Sequence, residues 1–203
     1  MVRLLIALLP LLVSAQESSE FREFIAKIHA ALGLRAGSVI ADIGTGDVTD
    51  QPVLVSKVIG PSGKLVCEDI DGAAIRRLEE KLKALAIVNV QFVVGEPSDP
   101  KLPAAVFDAV LISYAYHEMG EHAGAILRHA REALKPDGRL VVIEAISAGM
   151  LGKTRDEQVK AHELGPEILM REMEAAGFRQ LERTVLREGE GLTRYLVSAS
   201  PRQ

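Results

Sequence analysis

The stretch Val39-Ile40-Ala41-Asp42-Ile43-Gly44-Thr45-Gly46-Asp47 constrains this chain more than any other. An apolar run ends in an acid and then in two glycines one residue apart. A run with no polar alternation fits a strand covered on both faces, as in a parallel sheet. The glycines permit positive φ and leave no Cβ to obstruct a ligand. A helix beginning just after them offers unpaired N–H groups. Asp42, at the lip of the strand, is an expected acceptor for a positively charged or N–H-rich ligand. Val48 stands where a third glycine would complete the pattern.

The remaining sequence repeats a strand-then-helix alternation. Phe21, Phe24, Ile25, Ile28 and Leu32 recur at helical spacing and predict an N-terminal helix over residues 17–33, closed by Gly33. Strands are expected at 38–42, 64–69, 88–94, 107–113 and 140–145. The intervening helices run from about Asp50 (read as an N-cap), Asp71 and Ala123. Pro166 begins a further helix, and strands at 180–186 and 194–199 follow each other directly. This order implies an α/β, Rossmann-like doubly wound sheet of seven strands. It is mostly parallel, with one antiparallel strand near the edge and helices on both faces. Ligands of such sheets bind beyond the carboxyl ends of the strands, where the strand order reverses.

A chain of 203 residues suits one domain with a substantial core. Arg3, the apolar run Leu4 to Val13, and the small residues of Val13-Ser14-Ala15 read as a secretory signal over residues 1–15. The expected mature domain is 16–203. It is exported to the periplasm or the exterior if the leader is cleaved, and cytoplasmic otherwise. The apolar run is too short to span a bilayer, which needs about twenty residues, so no stable membrane span is expected after leader removal. The net charge of −4 and the lack of Trp argue against nucleic acid as a partner. Cys67 is the only cysteine, so no intramolecular disulfide forms.

Four segments follow strands and therefore face the expected site. They are Asp42 to Asp47, Cys67 to Asp71, Gly95-Glu96, and Ser113 to Glu118. An acid after the second strand suits two ribose hydroxyls; Asp69 is the choice, with Glu68 pointing the other way. Glu96 suits an exocyclic amine. In the fourth segment, Ser113 and Tyr114 are expected beside the cofactor, because an aromatic face suits a positive charge. Tyr116 is expected to orient an acceptor. His117 is the candidate base, since its unperturbed pKa lies near neutrality. His117 and His122 are five residues apart, about 140° round a helix, and so do not form the zinc-protease pair; no metal is expected. The long connection Ala145 to Gly165 carries His162-Glu163 and is a candidate lid.

Together with Phe107-Asp108 and the Lys135-Pro136-Asp137-Gly138 turn, this ordered set resembles the class I S-adenosylmethionine-dependent methyltransferases from about Leu34 to Val197. More narrowly, the chain looks like bacterial methyltransferase-domain proteins with an export leader. The resemblance implies S-adenosylmethionine as cofactor. It implies that Asp42, Gly44 and Gly46 line the methionine and ribose side, that Asp69 holds the ribose hydroxyls, and that Glu96 meets the adenine edge. The family's turn is usually acid-x-Gly-x-Gly-x-Gly, and Val48 departs from it. The implied function is methyl transfer to a small-molecule acceptor. The alternative is an exported, non-catalytic binding or scaffold protein that retains the fold. A nicotinamide-dependent oxidoreductase is disfavoured, since Thr49 would replace its third glycine.

Overall fold

The connections between the first five strands, helical in every case but the third, return the chain to the same end of the sheet, so those strands are parallel. The computed structural model describes residues 19–189 and 191–201; the expected leader at 1–15 lies outside the described residues. The strands are β1 (Val39–Ile43), β2 (Lys64–Asp69), β3 (Val90–Val94), β4 (Phe107–Ser113), β5 (Leu134–Ser147), β6 (Phe178–Gly189) and β7 (Leu192–Pro201). They form one sheet in the order β3-β2-β1-β4-β5-β7-β6. β7 pairs antiparallel with both β5 and β6, so it is the single reversed strand, one place in from the edge. The order reverses between β1 and β4, which puts the crevice beside the glycine turn.

The helices are α1 (Ser19–Leu32), α2 (Asp50–Ile59), α3 (Gly72–Ala84), α4 (Ala123–Ala133), α5 (Arg155–Lys160) and α6 (Pro166–Ala175). Side chains alternate across each strand, and the core divides accordingly. Ile40 of β1 faces Ile28, Leu32, Val55, Ile59, Leu78 and Leu82 of α1, α2 and α3. Ala41 and Ile43 belong to the other layer, with Ile126, Leu127 and Ala130 of α4 and Leu169 and Met173 of α6.

Several boundaries differ from the sequence reading. Thr49, not Asp50, precedes α2, and its side chain makes no capping bond; Asp50 instead places its charge in the first turn, where the helix dipole favours it. Asp71 caps α3 as expected, accepting from Ala73 N–H at 2.8 Å. The Lys135–Gly138 turn does not precede β5 but interrupts its start: Leu134 pairs with Phe107, and pairing resumes with Arg139 opposite Ala109. α5 was not anticipated, although Thr154 and Glu157 form a reciprocal capping box.

Asp108 ties three strands together at the end opposite the crevice. Its carboxylate accepts from Val39 N–H at 2.8 Å and from Lys135 Nζ at 2.8 Å. Burial pushes its pKa up, but the Lys135 and Val39 hydrogen bonds outweigh that and hold it below the usual carboxylate range. Both the Phe107-Asp108 pair and the Lys-Pro-Asp-Gly turn are therefore parts of the scaffold.

Candidate functional site

A cleft of about 190 Å³ opens at the carboxyl ends of β1, β2, β3 and β4. Its walls include Gly44, Glu68, Asp69, Glu96, Ala115, Glu118 and Met119. Gly44 (φ 72°) and Gly46 (φ 60°) both occupy the left-handed region, which L side chains avoid. A Cβ on Gly44 would lie 2.6 Å from Ala115 Cβ across the cleft, whereas one on Gly46 would meet nothing within 4 Å. Val48 is 61% exposed and is not among the positive-φ residues. The turn thus accepts a branched side chain there without backbone strain.

Asp69 is held by the backbone on both sides. Gly46 N–H donates to its Oδ2 at 2.8 Å and Asp71 N–H to its Oδ1 at 2.8 Å. Each oxygen keeps acceptor capacity for a hydroxyl. Glu68 is almost fully buried, and its Oε1 occupies the space a Cβ on Gly95 would need. Burial, with the neighbouring Asp69 charge, pushes its pKa up to about 8. Glu96 is exposed at the cleft rim, paired with Lys101. Asp42 is 4% exposed and lies beneath the turn, where Thr45 Oγ1 donates to it at 3.0 Å. Burial raises its pKa to about 7 despite that bond. Asp42 therefore supports the glycine turn and does not line the cleft.

After β4 the expected residues separate. Ser113 ends the strand and is not on the cleft wall. Tyr114 has φ 52°, which breaks the strand's alternation and sends its ring towards Phe24, Arg187 and Arg194, away from the cleft. Tyr116 is fully buried, and its hydroxyl donates to Glu172 at 2.8 Å. Glu172 also accepts from Arg155 Nε at 2.8 Å. Tyr116 thus fastens α6 and α5 to the segment after β4.

His117 has a partner that sequence reasoning missed. Glu144, on β5, is 1% exposed and grips His117 with both oxygens. The His117 backbone N–H donates to Oε1 at 3.0 Å, and Nδ1–H donates to Oε2 at 2.9 Å. The Glu144 hydrogen bond raises the imidazole pKa against the opposing effect of burial. With Nδ1 so committed, the neutral ring leaves its lone pair on Nε2, which lies 3.8 Å from Glu118 Oε1. The available signal was one acid inside the apolar run Val141 to Ile146. The connection after β5 does fold over this side. Glu163 accepts from Ser147 N–H and Oγ at 2.6 and 2.9 Å, Gly165 N–H donates to Gln158 Oε1 at 2.7 Å, and Tyr195 donates to Leu164 O at 2.7 Å. It is a fastened cap that brings the His162 ring edge-on to His117, centroids 6.0 Å apart.

The sheet order, the glycine turn and the acid-lined crevice define the fold and cofactor cleft of a class I S-adenosylmethionine-dependent methyltransferase. The residues fit that cofactor. The turn is cut back to glycine at the wall, Asp69 is oriented to accept from hydroxyls, and Glu68, Glu96 and Glu118 add further carboxyl groups to the wall. The sequence profile of the ubiE/COQ5 methyltransferase family matches residues 9–160, and the chain belongs to that family. It is 36% identical over 115 residues to the ubiquinone/menaquinone biosynthesis C-methyltransferase UbiE of Pasteurella multocida, a match over 55% of this chain and 41% of that protein. The chain thus spans less than half the length of the curated relatives it matches. The structure of a SAM-dependent methyltransferase from Aquifex aeolicus is similar with a TM-score of 0.72 at 23% identity, covering 90% of this chain and 93% of that one. The [4+2]-cyclase SpnF is similar with a TM-score of 0.73 at 16% identity, over 92% and 83% of the two chains. Both likenesses are of the fold.

Proposed function

We propose that this protein transfers a methyl group from S-adenosylmethionine to a small-molecule acceptor. The observation that carries this reading is the cleft itself: a glycine turn open at Gly44 faces Asp69, Glu68 and Glu96 where the strand order reverses. Asp69 would hold the ribose hydroxyls, Gly44 and Gly46 would let the backbone approach the methionine side, and Glu96 would meet the adenine edge. When bound, the cofactor supplies a sulfonium methyl open to in-line displacement. The chain's main contribution is positioning, which supplies up to about 10 kcal/mol in well-aligned cases. His117 is not itself on the cleft wall; oriented by Glu144, its Nε2 lies 3.8 Å from Glu118, which is, and it is the group proposed to take up an acceptor proton.

Calorimetry with S-adenosylmethionine and S-adenosylhomocysteine tests the reading, with saturable heat from both as the expected result. No heat from either would sink it and favour a non-catalytic module. That second reading is motivated by the expected export leader at residues 1–15. Export remains part of the proposal on the strength of Arg3, the apolar run and Val13-Ser14-Ala15. Mass mapping of the N-terminus in the native host checks it, and an intact Met1 would refute it. Among the described residues no helix is long and apolar enough to cross a membrane.

A further inference from the structure

We propose that His117, Glu118 and His162 bind one divalent transition-metal ion beside the methyl-transfer cleft, with Glu144 as the outer carboxylate that orients His117. One ligand atom from each of the three residues lies within 4.8 Å of the others. In a tetrahedral zinc site the bond lengths of about 2.0–2.2 Å put ligand atoms about 3.3–3.5 Å apart. Glu118 and His162 are both exposed, so their side chains have room to rotate towards that spacing.

Three further observations favour an ion over a chance cluster. The Glu144 carboxylate takes Nδ1–H of His117, which fixes the tautomer whose Nε2 lone pair is free. A carboxylate behind a histidine in this way is the usual outer support of a metal-binding imidazole. His162 is delivered by a cap fastened at Ser147, Gln158 and Leu164, so its backbone is held in place before any ligand arrives. The donor set of two imidazoles and one carboxylate suits Zn²⁺ or its neighbours and is a poor match for Mg²⁺ or Ca²⁺.

Three protein ligands leave a fourth position for water or for an oxygen, nitrogen or sulfur atom of another molecule. Glu118 also lines the cleft, so that position lies next to it. Proton and ion compete for the same Nε2, and the metal-loaded and metal-free proteins are therefore two states of the acceptor side. The metal site itself does not depend on the methyltransferase reading.

The test is titration of the full, chelator-stripped chain with Co²⁺, read by its visible d–d absorption, then displacement by Zn²⁺ and elemental analysis for stoichiometry. One ion per chain is expected. His162→Ala and Glu118→Ala, both at exposed positions, should each weaken binding at least tenfold while keeping the thermal transition. Glu144→Gln should weaken it by about ten- to a hundredfold. His129→Ala, on α4 beside Glu132, should leave it unchanged. Failure to take up a stoichiometric ion, or undiminished affinity in His162→Ala, would overturn the proposal. Cofactor calorimetry on the stripped protein reports separately on methyl transfer.

Discussion

Replacing Gly44 with alanine isolates what the turn requires at the cleft wall, because Gly46 supplies an internal comparison. Both residues have positive φ, 72° and 60°, so an alanine at either position bears about 1–2 kcal/mol of left-handed strain. Only at Gly44 does the new methyl also collide, at 2.6 Å from Ala115 Cβ. Overpacking of that kind costs about 1–3 kcal/mol. Gly44→Ala should therefore lose about 2–5 kcal/mol and Gly46→Ala about 1–2. A domain of this size shifts its melting temperature by about 2–4 °C per kcal/mol, so Gly44→Ala should melt about 4–20 °C lower. Urea unfolding of both variants measures the difference directly, and S-adenosylhomocysteine calorimetry shows whether the wall has moved. Affinity should fall at least tenfold in Gly44→Ala, since Ala115 must shift within the cleft. Equal midpoints for the two variants would refute the close approach of the turn to Ala115.

Three other outcomes are expected. Glu68 and Asp42 have ordinary pKa values of 4.5 and 3.8, raised to about 8 and about 7 in the fold. The native chain then binds more protons than the unfolded one between these limits, so stability falls as pH rises from about 4 to 8. Urea unfolding across that range should show a shallower slope in Glu68→Gln. Val48→Gly should leave cofactor affinity within about twofold by calorimetry, because Val48 is exposed and outside the left-handed region; glycine there has no strain to relieve. Glu144→Gln should lower kcat at least tenfold while the KM for S-adenosylmethionine holds, since it disturbs the orientation of His117 and leaves the cofactor walls intact.

Gly44, Asp69 and Glu96 were legible in the sequence because strand ends in a parallel sheet all point to one place, and these residues sit directly at such ends. The mostly parallel sheet with one reversed strand near its edge followed from the alternation of elements and the final paired strands; the order of the strands did not. Legibility failed where the backbone leaves its regular period. Tyr114 was misplaced because a left-handed residue directly after β4 ends the two-residue alternation. Asp42 was expected to face the ligand, yet its strand turns it under the glycines, where Thr45 satisfies it. The pairing of His117 with Glu144 and the approach of His162 join distant segments, and linear spacing carries no record of them. Asp108 and the Lys135 turn were noticed only as marks of the resemblance; that they pair with each other at the end opposite the crevice is again a contact between distant segments.

The Asp108 clamp gives the domain a division of labour along the strand axis. Its ties to Val39 and Lys135 hold β1, β4 and β5 at one pole, and every group proposed to touch a ligand sits at the other. Substitutions at the open pole leave those ties in place. A lineage built on this sheet is thus free to exchange acceptors, to acquire or lose a metal, or to abandon methyl transfer altogether, while the distant pole keeps the chain folded.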